Sequence, residues 1–432
     1  MKSIKLPYLI QTVLIVVLLA VTPLLYSADY GTFHRIKLQT IYLVVTLIFL
    51  VSIFCFKCFK DEYIDSFKIF KTERKLLLTA IFFMFCSLFQ NISQMNWFVR
   101  NGHSNGVFWG ARPNYLSIFF YIIAIIFIMT SIPSVKHVYR RIINISVIVS
   151  LVIVGSVILY QIFVNDFIGV GRSELFGFGN SNYTPDAFAI IGLLLLVPLM
   201  FKDKINIINT LIGVFLFVIV LLSLSRAAFI GLFISLLVTL IILIKNKHLK
   251  WIRVLILGVS ASLAVIGLVY ITKVLGSEAL LNDFKTLYDL ISGQASAGEL
   301  SSLRTDLWVA AIDELTRNPL TILFGNGQSV FIWQHGAESY LVTNVHNQYV
   351  DILLSGGIVV FGIFMYLLIK QFTYASRLVK SDITNISLLA ALIFITTKWM
   401  FNSLNAIHSP FVLIVFILIS YRYMEIKRIE SN

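Results

Sequence analysis

Residues 227–244 read AAFIGLFISLLVTLIILI, a run without a charged side chain that is long enough to cross a membrane as a helix. Arg226 precedes the run and Lys245 follows it, so both of its ends are charged. The chain of 432 residues is 58% hydrophobic and 13% charged, whereas soluble domains contain about 25% charged residues. With a mean hydropathy of +0.90, this composition excludes a soluble enzyme, a disordered chain and a disulfide scaffold.

Similar apolar runs recur along the chain and predict an all-α integral membrane protein, a single polytopic membrane domain over residues 1–432. Each run has the length of a spanning helix, and about twelve are expected. The predicted spans are Tyr8–Tyr26, Leu38–Phe56, Leu76–Ile92, Asn114–Ile132, Ile143–Val164, Ala187–Phe201, Ile207–Leu224, Ala227–Ile244, Ile252–Thr272, Gln348–Ile369, Ile383–Trp399 and Ile407–Met424.

The positions of the basic residues predict the orientation of these spans. If the N-terminus is cytoplasmic, every inner segment contains at least two Lys or Arg residues, as cytoplasmic loops should. An even number of spans then places the C-terminus inside as well, in a multi-pass membrane protein. The first span is expected to be retained rather than cleaved as a signal peptide. The net charge of +13 therefore reflects topology and the lipid bilayer, and does not indicate a nucleic-acid partner.

The longest segment between spans covers residues 273–345 and is predicted to lie outside, between the ninth and tenth spans. Within it, apolar residues at helical spacing predict an amphipathic helix over Leu303–Arg317, ended by Asn318-Pro319. No inner segment is large enough for a nucleotide-binding domain, and no phosphate-binding loop motif is present. The three cysteines are interpreted as packing residues, and no His pair has metal-ligand spacing. Chemistry is therefore expected at the outer face, without metal, nucleotide or cofactor.

Three arginines outside the inner loops are candidate anion ligands. Arg226 opens a span, where an arginine costs roughly 2.5–3.5 kcal/mol and calls for an anionic partner; snorkelling to the headgroups is the alternative. Arg304 opens the predicted outer helix, where a cation opposes the helix dipole; the alternative is a solvated side chain. Arg172 precedes a loop with Gly177, Gly179, Asn180 and Asn182, a composition suited to sugar hydroxyls or to a plain turn.

His346 is the candidate general base, because its unperturbed pKa lies nearest to neutrality among side chains. It stands with Asn347 at the predicted outer mouth of the span that begins at Gln348. Asp351 follows within about one helical turn and is predicted to orient the imidazole. The alternative is a hydrogen-bonded interfacial histidine without a catalytic role.

Three stretches of the chain resemble one known family. The first is Leu222–Gly231, which contains SLSRAAFIG; the second is Ser301–Gly327, with Arg304, Trp308, a helix, Asn-Pro and Gly-x-Gly; the third is His346–Gly362, with His-Asn, a Leu-rich helix and glycines. Gly171–Asn182 matches more weakly. Together they are similar to the bacterial O-antigen ligase and O-antigen polymerase superfamily of Wzy-type, GT-C-like integral membrane glycosyltransferases. Ser355 departs from the acidic residue that the family usually shows there.

The resemblance implies glycosyl transfer from an undecaprenyl-diphosphate-linked glycan at the outer face of the membrane. It implies that Arg226, Arg304 and Arg172 bind the diphosphate and that His346 acts as the base or positions the acceptor. It assigns supporting or sugar-binding roles to Asn347, Asn180, Asn182, Asp351 and Trp308. Fixed cations would stabilise the charge that grows on the leaving diphosphate.

Polymerisation of a surface polysaccharide such as O-antigen, capsule or exopolysaccharide is the preferred function within this family. The alternative is a ligase that passes the lipid-linked glycan to lipid A–core or another acceptor. A function of another class, a lipid-linked oligosaccharide flippase or transporter, would instead place charged or broken-helix sites at the membrane midplane. The resemblance also allows a chain-length regulator as a partner.

Overall fold

A computed structural model of the protein describes residues 184–201, 207–222, 225–248, 304–326, 331–335, 338–342, 345–401 and 410–431. It also describes scattered helical positions between 71 and 86, and residues 251, 255 and 258. The predicted spans Tyr8–Tyr26, Leu38–Phe56, Asn114–Ile132 and Ile143–Val164 lie outside these residues, as does nearly all of Ile252–Thr272. Arg172, Asn180 and Asn182 lie outside them too.

The described part of the chain is almost entirely helical, as predicted. Its helices are α1 (Thr184–Leu196), α2 (Ile207–Leu222), α3 (Arg226–Lys245), α4 (Arg304–Thr316), α5 (Pro319–Phe324), α6 (Gln348–Ser381), α7 (Ile386–Phe401) and α8 (Pro410–Ser431). Short 3₁₀ turns, Val197–Met200 and Ile383–Asn385, follow α1 and precede α7. One antiparallel hairpin, β1 (Phe331–His335) with β2 (Glu338–Val342), was not predicted and lies in the outer segment.

Within the described residues, three helices are long and apolar enough to cross a membrane: Ala227–Lys245, Gln348–Ser381 and Ile383–Phe401. They coincide with three of the predicted spans, although the helix that begins at Gln348 extends well beyond the predicted end at Ile369. Because the sequence beyond Ile369 is amphipathic, hydropathy alone ended the prediction too early. The count of twelve spans and the cytoplasmic location of both termini stay predictions.

α7 is the centre of the described bundle, since most of its side chains are buried and it packs against α1, α3, α6 and α8. α3 and α7 run antiparallel: Gly231 faces Phe394, and Ser235 Oγ donates a hydrogen bond to the Ala390 carbonyl at 2.6 Å. The absence of a side chain at Gly231 lets the two backbones approach closely. Arg226, the first residue of α3, lies about one and a half turns before Gly231. The same antiparallel register therefore places it at the level of Trp399.

α6 is broken at Gly357, whose φ of 69° and ψ of −175° are not helical. Tyr349 and Phe364 show how sharply the chain turns there, because their ring centroids are only 6.1 Å apart. In a straight helix the same residues would be separated by roughly 22 Å along the axis. The first half of α6 (348–356) therefore folds back against the second half (358–381), and the predicted span is not one continuous helix.

The described part of the predicted outer segment packs against this break. The amphipathic helix predicted over Leu303–Arg317 is present as α4, and Ala311 and Leu315 form a small core with Phe331, Val342 and Leu354. Asn318 ends the helical pattern as predicted, but its side chain also caps the next helix by accepting the Leu320 N–H at 2.9 Å. Sequence reasoning missed α5, because a six-residue helix presents too few turns for its periodicity to be recognised.

Two glycines make this contact possible. Gly325 and Gly357 both have positive φ, and a Cβ on Gly357 would overlap the Leu323 carbonyl and the Gly325 amide. A break in a helix leaves the carbonyl groups before it without their partners four residues on. The Asn326 N–H satisfies one of them by donating to the Leu354 carbonyl oxygen at 2.7 Å. Gly325 and Gly357 come from two different stretches that resemble the family, and they lie on opposite sides of one close backbone contact. This contact is called the glycine joint below.

Candidate functional site

Arg304 is the first residue of α4, and its side chain reaches the end of α7. One guanidinium nitrogen, Nη1, donates to the Phe401 carbonyl oxygen at 2.5 Å. The last carbonyl groups of a helix have no partner within it, so they attract a cationic donor. A guanidinium carries five N–H donors, and this bond uses one of them. Arg304 is therefore held in a fixed place beside the end of α7.

Trp308 lies one turn after Arg304 on the same helix, so both project from one face. Its indole N–H donates to the Val345 carbonyl oxygen at 2.9 Å, directly before His346 in the chain. The Asp351 carboxylate also binds Val345, whose backbone N–H donates to Oδ1 at 3.4 Å. Trp308 and Asp351 thus fix the backbone that carries His346, whereas the sequence analysis predicted that Asp351 orients the imidazole.

His346 itself has a φ of 56°, in the left-handed region that non-glycine residues seldom adopt. Such a conformation costs about 1–3 kcal/mol and persists only when its surroundings impose it. Here the surroundings are the two bonds to Val345 on one side and the start of α6 on the other. The imidazole is half-buried.

Asn347 is the N-cap of α6. Its side-chain oxygen accepts the N–H groups of Tyr349 at 3.0 Å and of Val350 at 3.2 Å, and the residue is buried. These bonds satisfy backbone donors that the first turn of a helix otherwise leaves open. The two residues therefore have different roles. Asn347 caps the start of the helix, and His346 occupies the strained position before it.

The end of α7 contacts the His346 region as well as Arg304. Tyr349 donates its hydroxyl to the Thr396 carbonyl at 3.1 Å, and its ring lies edge-on to Trp399 at 6.4 Å. The last turns of α7 therefore contact both α4 and the first half of α6. Arg304 and His346 are brought to one end of the bundle by the same helix.

Arg226 begins α3 at that end, since the antiparallel register sets it level with Trp399. Ser225 is the N-cap of the helix, and its hydroxyl accepts the Ala228 N–H at 3.4 Å. Arg226 and Arg304 are thus both the first residue of a helix, where an arginine opposes the dipole but an anion would be favoured.

Sequence reasoning missed a pair of charged residues at the same end of the bundle, next to Trp399. Lys398 in the last turn of α7 forms an ion pair with Asp186 in the first turn of α1, and both side chains are buried. Removing one partner of a buried pair costs about 3–5 kcal/mol, because the other charge is left alone. The signal was present in the sequence, since Lys398 is a lysine within a predicted span.

Glu314 lies near the end of α4 that is remote from Arg304. Burial raises the pKa of Glu314, and the nearby Arg317, at 3.1 Å, acts in the opposite direction. Glu314 lies roughly 15 Å along the helix from Arg304, too far to neutralise it at close range. Among the described residues, no group of three or more His, Cys, Asp and Glu side chains is arranged to hold a metal ion.

Chemically, one end of the bundle therefore combines an imidazole on a rigid backbone, a fixed guanidinium, and the start of a second arginine-headed helix. Cations and helix N-termini suit a phosphorylated anion, and an imidazole suits proton transfer from a hydroxyl. Of the residues predicted for the site, His346, Arg304, Trp308, Asn347 and Asp351 come together here with the backbone of Arg226.

Comparison with known proteins finds a family match over the part of the chain that contains these site residues. Residues 211–365 match the family model described as O-antigen ligase. The match includes Arg226, Arg304, Trp308 and His346, and it excludes both members of the Asp186–Lys398 pair. A search of curated proteins found no match to the chain.

The match covers the three stretches that carried the resemblance, including the glycine joint between the outer segment and α6. It does not reach Gly171–Asn182, whose resemblance was weaker. Residues 211–365 of this membrane protein are therefore similar to the O-antigen ligase family, and this match supports the O-antigen ligase and O-antigen polymerase superfamily.

Proposed function

We propose that this protein polymerises a surface polysaccharide at the outer face of the bacterial cytoplasmic membrane. The donor is a glycan linked to undecaprenyl diphosphate, and the acceptor is a sugar hydroxyl of the next lipid-linked repeat. The observation that carries the proposal is that the last turns of α7 contact Arg304 directly and, through Tyr349, the helix start that follows His346. Arg304, His346 and Tyr349 all lie within the region that matches the O-antigen ligase family.

The proposed chemistry assigns each side chain one task. Arg304, Arg226 and Arg172 bind the diphosphate and stabilise the charge that grows on it as the glycosidic bond breaks. The acceptor hydroxyl attacks the anomeric carbon of the donor. During this attack His346 accepts the proton of the hydroxyl, or positions the hydroxyl. Inversion at that carbon follows from a single displacement. Because the donor carries its own leaving group, the reaction requires neither a nucleotide nor a metal ion.

Trp308, Asn347 and Asp351 act through the backbone in this proposal rather than through the sugar. Their described bonds go to Val345 and to the first turn of α6, so they hold His346 in its strained conformation. Asn180 and Asn182 are proposed as sugar-binding residues on the basis of the resemblance alone.

A ligase is the second candidate, and the description of the matched family favours it. In that case the same donor site would pass the glycan to lipid A–core or another acceptor. A flippase has weaker support. The break in α6 and the buried Asp186–Lys398 pair are features that transporters show, but both charges lie in terminal turns of their helices rather than at mid-helix.

Purified protein in nanodiscs, given a single lipid-linked repeat unit from its own gene cluster, separates these functions. A ladder of glycans on a gel supports polymerisation, with a His346 variant as the control lane. No ladder without acceptor, but a shifted product after addition of lipid A–core, supports a ligase. Neither product, with movement of the lipid-linked unit between leaflets, supports a flippase.

Replacement of Arg304 tests the donor site. We expect Arg304→Ala to reduce kcat/KM for the lipid-linked donor by about 10–100-fold, the value of one or two charge-assisted hydrogen bonds. Arg304→Lys should recover only part of the loss, because an ammonium lacks the planar fork of a guanidinium. Arg226→Ala is expected to act in the same direction. Donor titrations of the turnover rate provide the measurement.

Arg317→Ala is the matched control, because Arg317 lies at the end of the same helix with an exposed side chain. It removes one positive charge from α4 without touching α7. Equal activity of the Arg304→Ala and Arg317→Ala proteins would contradict the donor-binding role.

A further inference from the structure

The Asp186–Lys398 pair joins two parts of the chain that the proposed function uses separately. Asp186 lies in the first turn of α1, a few residues along the chain after the predicted loop with Arg172, Asn180 and Asn182. Lys398 lies in the last turn of α7. The charges suit their places, because an anion is favoured at a helix N-terminus and a cation at a C-terminus.

The last six residues of α7 make contacts that tie this helix to Arg304 and to the first and second halves of α6. The Thr396 carbonyl accepts the Tyr349 hydroxyl, Trp399 packs against Tyr349 and Phe364, and the Phe401 carbonyl accepts Arg304. Lys398 lies in the middle of this set. Its ammonium is turned instead toward α1, where the Asp186 carboxylate meets it.

An ion pair constrains both the rotation and the depth of this helix end more tightly than apolar contacts do. Apolar contacts are non-directional, whereas a buried charge without its partner is strongly disfavoured. A small rotation of the last turn of α7 would carry the Phe401 carbonyl away from Arg304 and Thr396 away from Tyr349.

We propose that the buried Asp186–Lys398 pair is a positioning pair for the lipid-diphosphate site: it fixes the last turn of α7 against α1, so that Arg304 is held in its place. The proposal rests on the proposed function for the identity of the ligand. Both residues lie outside the matched family region, so the pair is a feature of this chain beyond that match.

Four variants test the pair: Asp186→Asn, Lys398→Met, the double variant with both changes, and the exchange Asp186→Lys with Lys398→Asp. Each is purified in nanodiscs and measured on its folded, monodisperse fraction. The readouts are the unfolding temperature, the Kd for undecaprenyl diphosphate, and KM for the lipid-linked donor separately from kcat.

We expect each single variant to lose thermal stability and to raise the Kd and the donor KM by about tenfold, with a smaller effect on kcat. The double variant should recover part of the thermal stability, since it leaves no buried charge without a partner. Its donor KM should nevertheless stay raised by about tenfold. The exchanged pair should recover part of the donor affinity, because it restores opposite charges at the two positions.

Tyr374→Phe is the matched control. Tyr374 donates its hydroxyl to the buried carboxylate of Glu73, close to the far end of α6, so the variant removes a buried polar contact away from Arg304. It should reduce thermal stability and leave the Kd and KM unchanged.

A double variant with the Kd and KM of the wild type would overturn the proposal, whatever its unfolding temperature, and leave the pair a structural contact only. If the single variants do not fold, the Kd and KM of the double variant and of the exchanged pair test the proposal. A wild-type protein that binds undecaprenyl diphosphate but transfers no glycan would refute the proposed function and leave the positioning role standing. Failure of the wild type to bind it would overturn both.

Discussion

His346→Asn is expected to reduce glycan transfer by about 10²–10⁴-fold, the range over which a positioned general base acts. Asparagine is chosen because it tolerates the left-handed conformation that His346 adopts, with φ at 56°. The variant therefore keeps the backbone between Val345 and α6 and removes only the imidazole. Binding of undecaprenyl diphosphate should remain close to wild type, because His346 acts on the acceptor.

The measurement is single-turnover transfer from a lipid-linked repeat, together with a binding titration for the lipid diphosphate. His248→Asn is the control, since His248 lies in the exposed turn after α3, at the opposite end of that helix from Arg226. An equal loss of donor binding and transfer in His346→Asn would show that the residue holds the donor, and the proposed role would be wrong.

Gly357→Ala is expected to have the largest effect on the fold. The new Cβ would overlap the Leu323 carbonyl and the Gly325 amide, and backbone atoms cannot move aside as a flexible side chain can. Left-handed strain of about 1–3 kcal/mol adds to overpacking of similar size. We expect α5 to separate from the break in α6, and the Asn326–Leu354 hydrogen bond to be lost.

Thermal unfolding in detergent, compared with Gly362→Ala, measures this effect. Gly362 lies five residues along the same helix, is exposed, and has no atom within 4 Å of an added Cβ. An alanine there should be neutral or stabilising by up to about 1 kcal/mol, because alanine has the higher helix propensity. If both variants unfold at the same temperature, the joint between Gly325 and Gly357 contributes little.

Gly325→Ala approaches the same joint from the other side. Gly325 also has a positive φ, and its added Cβ would overlap the Ser355 carbonyl. A loss of stability similar to that of Gly357→Ala is therefore expected. Transfer activity should fall with stability in both variants, since the first half of α6 contains Asp351 and begins directly after its N-cap, Asn347.

Local sequence patterns were sufficient to predict individual helices. The run 227–244 predicted α3, and the spacing of Leu303, Leu307, Ala311 and Leu315 predicted α4 to within a residue at each end. Helical periodicity and hydropathy depend on neighbours within a few residues, so a single sequence contains that information. The motif spacing likewise indicated the superfamily that the family match then supported over residues 211–365.

Contacts between distant parts of the chain were not readable. Gly357 lies in a run that looks like an unbroken span, and nothing local reveals that Gly325 packs against it and turns the helix back. The side chain of Asn347 caps α6, and a described bond of Asp351 holds the backbone at Val345. The predicted roles of Asn347 toward sugar and of Asp351 toward the imidazole stay predictions.

The sequence by itself thus determined that the chain is a helical membrane protein, which residue types are available for transfer chemistry, and where α3 and α4 begin. Only the tertiary structure decided that Arg304 meets the end of α7, that His346 takes a left-handed conformation, and that Lys398 is buried against Asp186. The physical reason is separation along the chain. Elements form from neighbouring residues, but the site forms where helices from distant parts of the sequence pack at one end of a common core.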